Sequence, residues 1–297
     1  MLLAFPDYAL QSQALAAAAG LRCHIVDVHR FPDGESRVKL PAALPAEVVF
    51  CRSLDDPNAK LIELLLAAAT ARELGAMQLT LVAPYLCYMR QDAAFSPGEA
   101  VSQSIIGRFL AAHFDRIITV DPHLHRVDEL CVAIPSASAL ALSAAPLVAD
   151  FLKTRLRFPL LMGPDSESRR WVEAIADRAG FGAAVCTKTR LGDQSVTIVL
   201  PDVDLSGRQV VLVDDVASTG ATLARTAEQC RERGATRVDV MVTHGLFVGD
   251  AIPALKRAGV SEVWSTDSVA HSTNVIPLAK LLAEGLLARS RSPAHGA

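Results

Sequence analysis

The sequence predicts an α/β chain of two similar domains, each a mainly parallel sheet flanked by helices. Three observations carry that expectation: apolar runs of strand length recur, amphipathic helical segments separate many of them, and two of the runs lead into clusters of polar residues that look like counterparts in two halves. In chain order the strand-like runs are residues 48–51, 79–83, 116–120, 160–162, 183–186, 196–200, 210–213 and 238–243, rich in Val, Ile and Leu. Residues 58–74, 102–113, 168–179 and 222–233 place apolar side chains at helical spacing, and Gly234 supplies a stop for the last of these. In a parallel sheet the loops beyond the carboxyl ends of the strands carry function, and two strand ends stand out. One is RIITVDPHLH, with Asp121, His123 and His125; the other is QVVLVDDVASTGATL, with Asp214 and Asp215.

The length of 297 residues fits two domains. We place them at 1–145 and 146–287, joined near Ser136 to Pro146, with residues 288–297 as a small, basic, Pro-interrupted tail expected to fray. Hydrophobic residues make up 51% and charged residues 21%, which excludes disordered and low-complexity classes. A net charge of −3 leaves no electrostatic footprint for nucleic acid or an anionic membrane, so a small soluble partner is expected. The six cysteines are scattered without a CxxC pair and predict buried, reduced thiols in a cytoplasmic protein. The opening MLLAFPDYALQ lacks the basic region of a signal peptide. The longest uncharged stretch, 131–149, is broken by two prolines and three serines and reads as a buried linker rather than a membrane span.

In residues 210–222 a β-branched strand runs into two carboxylates, and Ser218, Thr219, Gly220, Ala221 and Thr222 then open a helix. Backbone N–H groups at that helix start, three hydroxyls and one glycine can cradle a phosphate. Asp214 and Asp215 can hold sugar hydroxyls or a hydrated Mg²⁺. The competing reading is an N-capped helix whose carboxylates only suit its dipole. No GxxxxGK[ST] occurs, so this is not a P-loop.

That segment resembles the phosphoribosyl-diphosphate loop shared by type I phosphoribosyltransferases and ribose-phosphate pyrophosphokinases. FPDGE at 31–35, PYLCYMRQD at 84–92, TVDPH at 119–123, GPD at 163–165 and KTR at 188–190 resemble the pyrophosphokinase's own signatures, in its order, and transferases do not normally carry that set. The resemblance runs from about Phe31 to Asp267 and is closer to archaeal-type members. It implies two phosphoribosyltransferase-like domains and an Mg²⁺-dependent transfer of a diphosphoryl group from ATP to ribose 5-phosphate.

The resemblance further implies that Asp33 and Glu35 meet the adenine of ATP bound to a neighbouring subunit, that Arg90 and Gln91 meet the nucleotide in their own subunit, and that a homo-oligomer is needed. From the residues alone, Phe31 can stack on a purine, and Asp33 or Glu35 can accept from an exocyclic amine, although PDGE is also simply a turn. Arg90 has the planar fork that suits a polyphosphate and equally suits an ion-paired surface. His123 and Asp165 match the family's Mg²⁺ positions; histidine is an unusual magnesium ligand and works there in part through water, or else is a hydrogen-bonded structural residue. The role of His125 stays open. Lys188 and Arg190, followed by LGDQS with Gly192, match the catalytic loop, where two cations close over the charge that builds on the transferring phosphoryl group; alternating cations also guard strand edges.

Two departures from the family pattern matter. Ser218 stands where an acid is common and Ala221 where glycine is frequent, and neither removes the backbone cradle. Glu167 and Ser168 follow GPD where relatives carry glycines that let backbone approach a phosphate. The alternatives to a pyrophosphokinase are a phosphoribosyltransferase and a non-catalytic regulatory subunit of pyrophosphokinase type.

Overall fold

A computed structural model describes residues 1–124, 129–135, 138–191 and 195–288, excluding the side chains of 189–191 and 195–197. His125, Gly192 and most of the expected tail therefore lie outside the described residues. The chain divides into two compact units, one made of residues 1–142 with the segment from Leu278 onward and the other of residues 143–277.

The first unit runs β1 (Leu2–Ala4), α1 (Ala9–Ala19), β2 (Cys23–Ile25), a hairpin of β3 (Asp27–Arg30) and β4 (Ser36–Lys39), β5 (Glu47–Cys51), α2 (Pro57–Glu73), β6 (Gln78–Val82), α3 (Ser102–His113), β7 (Arg116–Val120), α4 (Leu130–Ala133) and β8 (Ser138–Leu142). Its sheet has the order β2-β1-β5-β6-β7-β8, all parallel. The second unit runs α5 (Ala145–Arg155), β9 (Leu160–Gly163), α6 (Arg169–Ala179), β10 (Gly182–Val185), a hairpin of β11 (Thr187–Leu191) and β12 (Ser195–Val199), β13 (Gln209–Ala217), α7 (Ala221–Glu232), β14 (Arg237–Gly245), α8 (Ala251–Arg257), β15 (Val260–Thr266) and β16 (Asn274–Ile276). Its sheet has the order β10-β9-β13-β14-β15-β16, again all parallel. Each sheet buries its apolar strands under helices in a core of its own: Leu3, Phe50, Leu64, Leu81 and Ile117 in one, Leu160, Leu212, Leu223, Val240 and Leu255 in the other.

The two orders are the same path drawn twice, down to the antiparallel hairpin that follows each edge strand. The register agrees as well, since Leu2, Leu3 and Ala4 pair with Val49, Phe50 and Cys51 as Leu160, Leu161 and Met162 pair with Val210, Val211 and Leu212. LLAFPD at 2–7 thereby takes the place of LLMGPD at 160–165. The last helix, α9 (Ala279–Leu287), packs on α1 as α5 packs on α6, so the helix after the sixth strand of each sheet serves the other unit. Arg116, at the start of β7, holds α9 by donating to the Leu286, Gly285 and Ala288 carbonyls at 2.8, 2.6 and 2.8 Å, which satisfies the orphan acceptors of its last turn.

Several expectations change. The division falls at Leu142 and Ser143 rather than near 145, and residues 278–287, expected in the second domain, belong to the first unit. The stretch 131–149 is not a linker but carries most of α4, β8 and the start of α5, with Ser138 opening the strand and Pro146 in the first turn of the helix. Strand β13 does not stop at Val213 but runs on to Ala217, because β14 continues beside it and pairs Asp214, Val216 and Ala217 with Val242, His244 and Gly245. All six cysteines are free; Cys51, Cys87, Cys186 and Cys230 are buried, Cys23 is half-buried, and Cys131 is exposed. Among the described residues no helix is long and apolar enough to cross a membrane.

Candidate functional site

In the second unit the connections leave β9 and β13 in opposite directions along the sheet, so a crevice opens beyond their carboxyl ends, the place where such sheets take ligands. Asp165 lies just past β9. Its Oδ1 accepts from the N–H groups of Glu167 and Ser168 at 3.1 and 3.3 Å, capping a single 3₁₀ turn. The Ser168 hydroxyl donates back to the Asp165 carbonyl at 2.6 Å, and Ser168 is buried against Gly163. The two N–H groups that glycines would offer to a phosphate are thus taken by the chain's own carboxylate, while the Glu167 side chain is exposed.

Asp214 and Asp215 sit inside β13, with Asp215 buried and Asp214 half-buried. Asp214 Oδ1 accepts from the Asp215 N–H at 3.0 Å, and Asp215 Oδ1 from the Val216 N–H at 2.8 Å. Burial pushes the Asp214 carboxyl well above the ordinary carboxylate range, and the negative charges of Asp215 and Asp165 push it further. Lys188, on β11, brings Nζ to 3.9 Å from Asp165 Oδ2, placing one cation beside that carboxylate. Arg190 follows two residues along β11, and its side chain lies outside the described residues.

Past β13, Ser218, Thr219 and Gly220 lead into α7. Gly220 is the N-cap at φ 70°, a left-handed conformation that glycine adopts without strain, and no side chain caps this end. Ala217 O accepts from the Leu246 and Phe247 N–H groups at 3.0 and 3.1 Å and Ser218 O from Val248 N–H at 3.0 Å. The loop's carbonyls are thereby tied to the segment after β14, while Ala221, Thr222 and Leu223 carry first-turn N–H groups for which a helix has no internal acceptor. Below this segment His244, buried, places Nδ1 2.8 Å from Ser268 Oγ, whose own proton goes to Thr243 O at 2.9 Å. His244 Nδ1 is therefore the donor.

In the first unit Phe31, Asp33 and Glu35 are gathered, all exposed, at the tip of the β3–β4 hairpin. The tip is a tight turn, with Phe31 N–H donating to Glu35 O at 2.8 Å and Glu35 N–H to Asp33 Oδ1 at 3.1 Å. Ser36 anchors it by donating to Glu63 Oε1 on α2 at 2.8 Å. Arg90 and Gln91 lie in the long connection between β6 and α3, and His123 lies half-buried beyond β7. His123 and Asp165, expected to share a metal, belong to different units, and among the described residues no group of three or more metal-ligating side chains is assembled.

A charge network at the matching crevice of the first unit escaped the sequence reading. Arg52, buried just past β5, lies 2.6 Å from Glu63 Oε2 and 3.1 Å from Asp7 Oδ1, and Lys60 lies 3.0 Å from Asp7 Oδ2. Asp7 occupies the position that Asp165 holds in the second unit; here its charge is paired with Arg52 and Lys60 along the wall of an open cavity of about 310 Å³, whereas Asp165 stands near Asp214 and Asp215. The signal was the six-residue echo of LLAFPD in LLMGPD.

Two α/β units of one strand order, with a hydroxyl-rich loop at a switch point of the second, define a two-domain protein of phosphoribosyltransferase-like build. Residues 2–113 match the N-terminal domain of ribose phosphate pyrophosphokinase, and residues 186–284 match the phosphoribosyl synthetase-associated domain. The ribose-phosphate pyrophosphokinase of Halobacterium salinarum is 34% identical over 275 residues, covering 92% of this chain and 95% of the relative. That of Methanopyrus kandleri is 33% identical over 265 residues, 88% of this chain and 89% of the relative. In fold, the chain is similar to the crystal structure of phosphoribosylpyrophosphate synthetase from Mycobacterium smegmatis, with a TM-score of 0.82 over 96% of this chain and 97% of that one at 23% identity. The chain belongs to the ribose-phosphate pyrophosphokinase family.

Proposed function

We propose that the protein transfers the diphosphoryl group of ATP to ribose 5-phosphate: the anomeric hydroxyl attacks the β-phosphorus, the bond to the α-phosphate breaks, and 5-phosphoribosyl 1-diphosphate and AMP result. The observation that carries this reading is kinship with ribose-phosphate pyrophosphokinases over nearly the whole chain. Catalysis is then mostly positioning and electrostatics. Ser218, Thr219, Gly220, Ala221 and Thr222 hold the 5-phosphate through first-turn N–H groups and hydroxyls. Asp214 and Asp215 accept from the ribose hydroxyls. Lys188 and Arg190 meet the charge that develops on the transferring group.

Magnesium suits this donor set, since it is commonly held by one or two carboxylates with water and substrate phosphates completing its shell, and the mutual repulsion at Asp214 favours a cation nearby. Asp165, with its Oδ2 turned toward Lys188, and His123, through water, are the residues that would hold it. Bound there, Mg²⁺ would neutralise charge on the polyphosphate. Arg90 and Gln91 contact the nucleotide, and Phe31, Asp33 and Glu35 reach the nucleotide of a neighbouring subunit, for which their exposure at a hairpin tip is the support. A homo-oligomer follows. Six free thiols support a cytoplasmic setting.

The test is to incubate the protein with ribose 5-phosphate, ATP and Mg²⁺ and to follow AMP and phosphoribosyl diphosphate by phosphorus NMR. Equimolar appearance of both is expected, and silence overturns the reading. Lys188→Ala is expected to fold normally and lose about 10²–10³-fold in turnover; near wild-type turnover removes Lys188 from this role.

A further inference from the structure

The loop between β6 and α3 is organised by one carboxylate. Glu99 Oε2 accepts from the Phe95 and Ser96 N–H groups at 2.7 and 2.9 Å, and Glu99 Oε1 accepts from Gln91 Nε2 at 2.7 Å. The hydrogen bond from the Phe95 backbone and then that from Gln91 hold the Glu99 carboxyl below the ordinary carboxylate range, so it is ionised and purely an acceptor at neutral pH. Gln91 Nε2 also faces Ala93 O at 3.2 Å. The amide nitrogen has two hydrogens and both point at acceptors; the flipped amide would set its oxygen against two oxygens. The backbone is pinned as well, Gln91 O accepting from Gln103 N–H and the buried Gln103 amide donating to Met89 O, both at 3.1 Å. What Gln91 has left to offer is Oε1, which makes no hydrogen bond among the described residues.

We propose that Glu99 is the positioning residue that presents Gln91 to the nucleotide as an acceptor only, so that the site selects a purine carrying an amino donor at position 6 over one carrying an oxo acceptor there. This rests on the reading of Gln91 as a nucleotide contact. A fixed outward carbonyl oxygen repels phosphate oxygens, so Gln91 serves the base, and the neighbouring Arg90, with donors only, is the member of the pair suited to phosphate.

The discriminating variant is Glu99→Gln. The Phe95 and Ser96 N–H groups still require an acceptor, so the new amide keeps its oxygen on them and turns its NH₂ toward Gln91. Two NH₂ groups facing at the 2.7 Å of the wild-type contact repel, which outweighs the longer 3.2 Å bond to Ala93 O, and Gln91 flips to present its own NH₂ outward. Equilibrium binding of ATP and of inosine triphosphate to the full-length protein, by calorimetry, reads this directly. Wild type is expected to bind ATP about tenfold or more tightly than inosine triphosphate, and Glu99→Gln is expected to lower that ratio about tenfold or more by gaining the oxo purine while losing the amino purine. Glu99→Ala, which lets the amide rotate, is expected to bring the two nucleotides toward parity. Equal binding of both nucleotides by wild type overturns the proposal, and so does an equal loss for both in Glu99→Gln, the signature of a merely structural carboxylate. Because the readout is binding, a protein that forms no phosphoribosyl diphosphate yet shows the shift in ratio overturns the assigned reaction and leaves this inference standing.

Discussion

Replacing Gly163 by alanine tests whether the geometry of Asp165 is set by packing. A Cβ at this position would lie 2.2 Å from Ser168 Oγ, 3.2 Å from Val172 Cγ2 and 3.3 Å from Ser168 Cβ. Ser168 is 1% exposed and has little room to retreat, so the clash is relieved only by moving the 3₁₀ turn. Overpacking of this kind costs about 1–3 kcal/mol. Displacing Ser168 also breaks its hydrogen bond to Asp165 O and loosens the cap on Oδ1, at about 1 kcal/mol. The expected loss is roughly 2–4 kcal/mol, or about 1–2 M in urea midpoint for an m-value near 2 kcal/mol/M. Tryptophan fluorescence follows it selectively, because Trp171 and Trp264, the two tryptophans of the chain, both lie in the second unit. Ser168→Ala in the same background removes the closest contact and is expected to return much of the loss, giving a coupling energy of about 1 kcal/mol or more. A loss below about 0.5 kcal/mol in Gly163→Ala, or strict additivity in the double mutant, refutes the packing argument.

The first unit yields two further predictions, both followed by far-UV circular dichroism. Arg52→Leu strands the buried carboxylate of Glu63 and is expected to cost about 3–5 kcal/mol, most of it recovered when Glu63 is also made leucine; a loss under about 1 kcal/mol contradicts the network. At Asp7, burial alone would raise the carboxyl, but the charges of Arg52 and Lys60 and hydrogen bonds from both outweigh it and hold it below the ordinary carboxylate value of 3.8. A carboxyl depressed in the folded state contributes stability that is present above that value and lost as pH falls through the folded one, so Asp7→Asn should destabilise at pH 7 and flatten the acid limb of the Tm profile below pH 4. An unchanged acid limb counts against it.

How legible this was varies with the physics of each element. Long apolar strands such as β5, β6, β7 and β14 and the helices α2, α3, α6 and α7 announce themselves by periodicity and lie within a few residues of the expected bounds. Strands of three residues such as β1, β2 and β16 contain too few alternations to carry a period, and β8, with two serines and three alanines nearby, reads as loop until β7 pairs with it. The hydroxyl-rich loop before α7 and the hairpin tip were legible as motifs because their residues are local: glycine, hydroxyls and carboxylates within a few positions.

The sequence by itself determined the α/β class, the two-unit plan and the family's signature segments, since all three reside in short-range patterns of apolar period and residue type. Tertiary structure decided the rest. The extension of β13 through both aspartates depends on β14 supplying ladder partners, the docking of α9 on the first unit depends on Arg116 and α1 waiting more than 160 residues upstream, and the capping of Asp165 depends on Ser168 folding over Gly163. Each of these is a contact whose free energy is realised only when distant segments meet, and no local propensity encodes it.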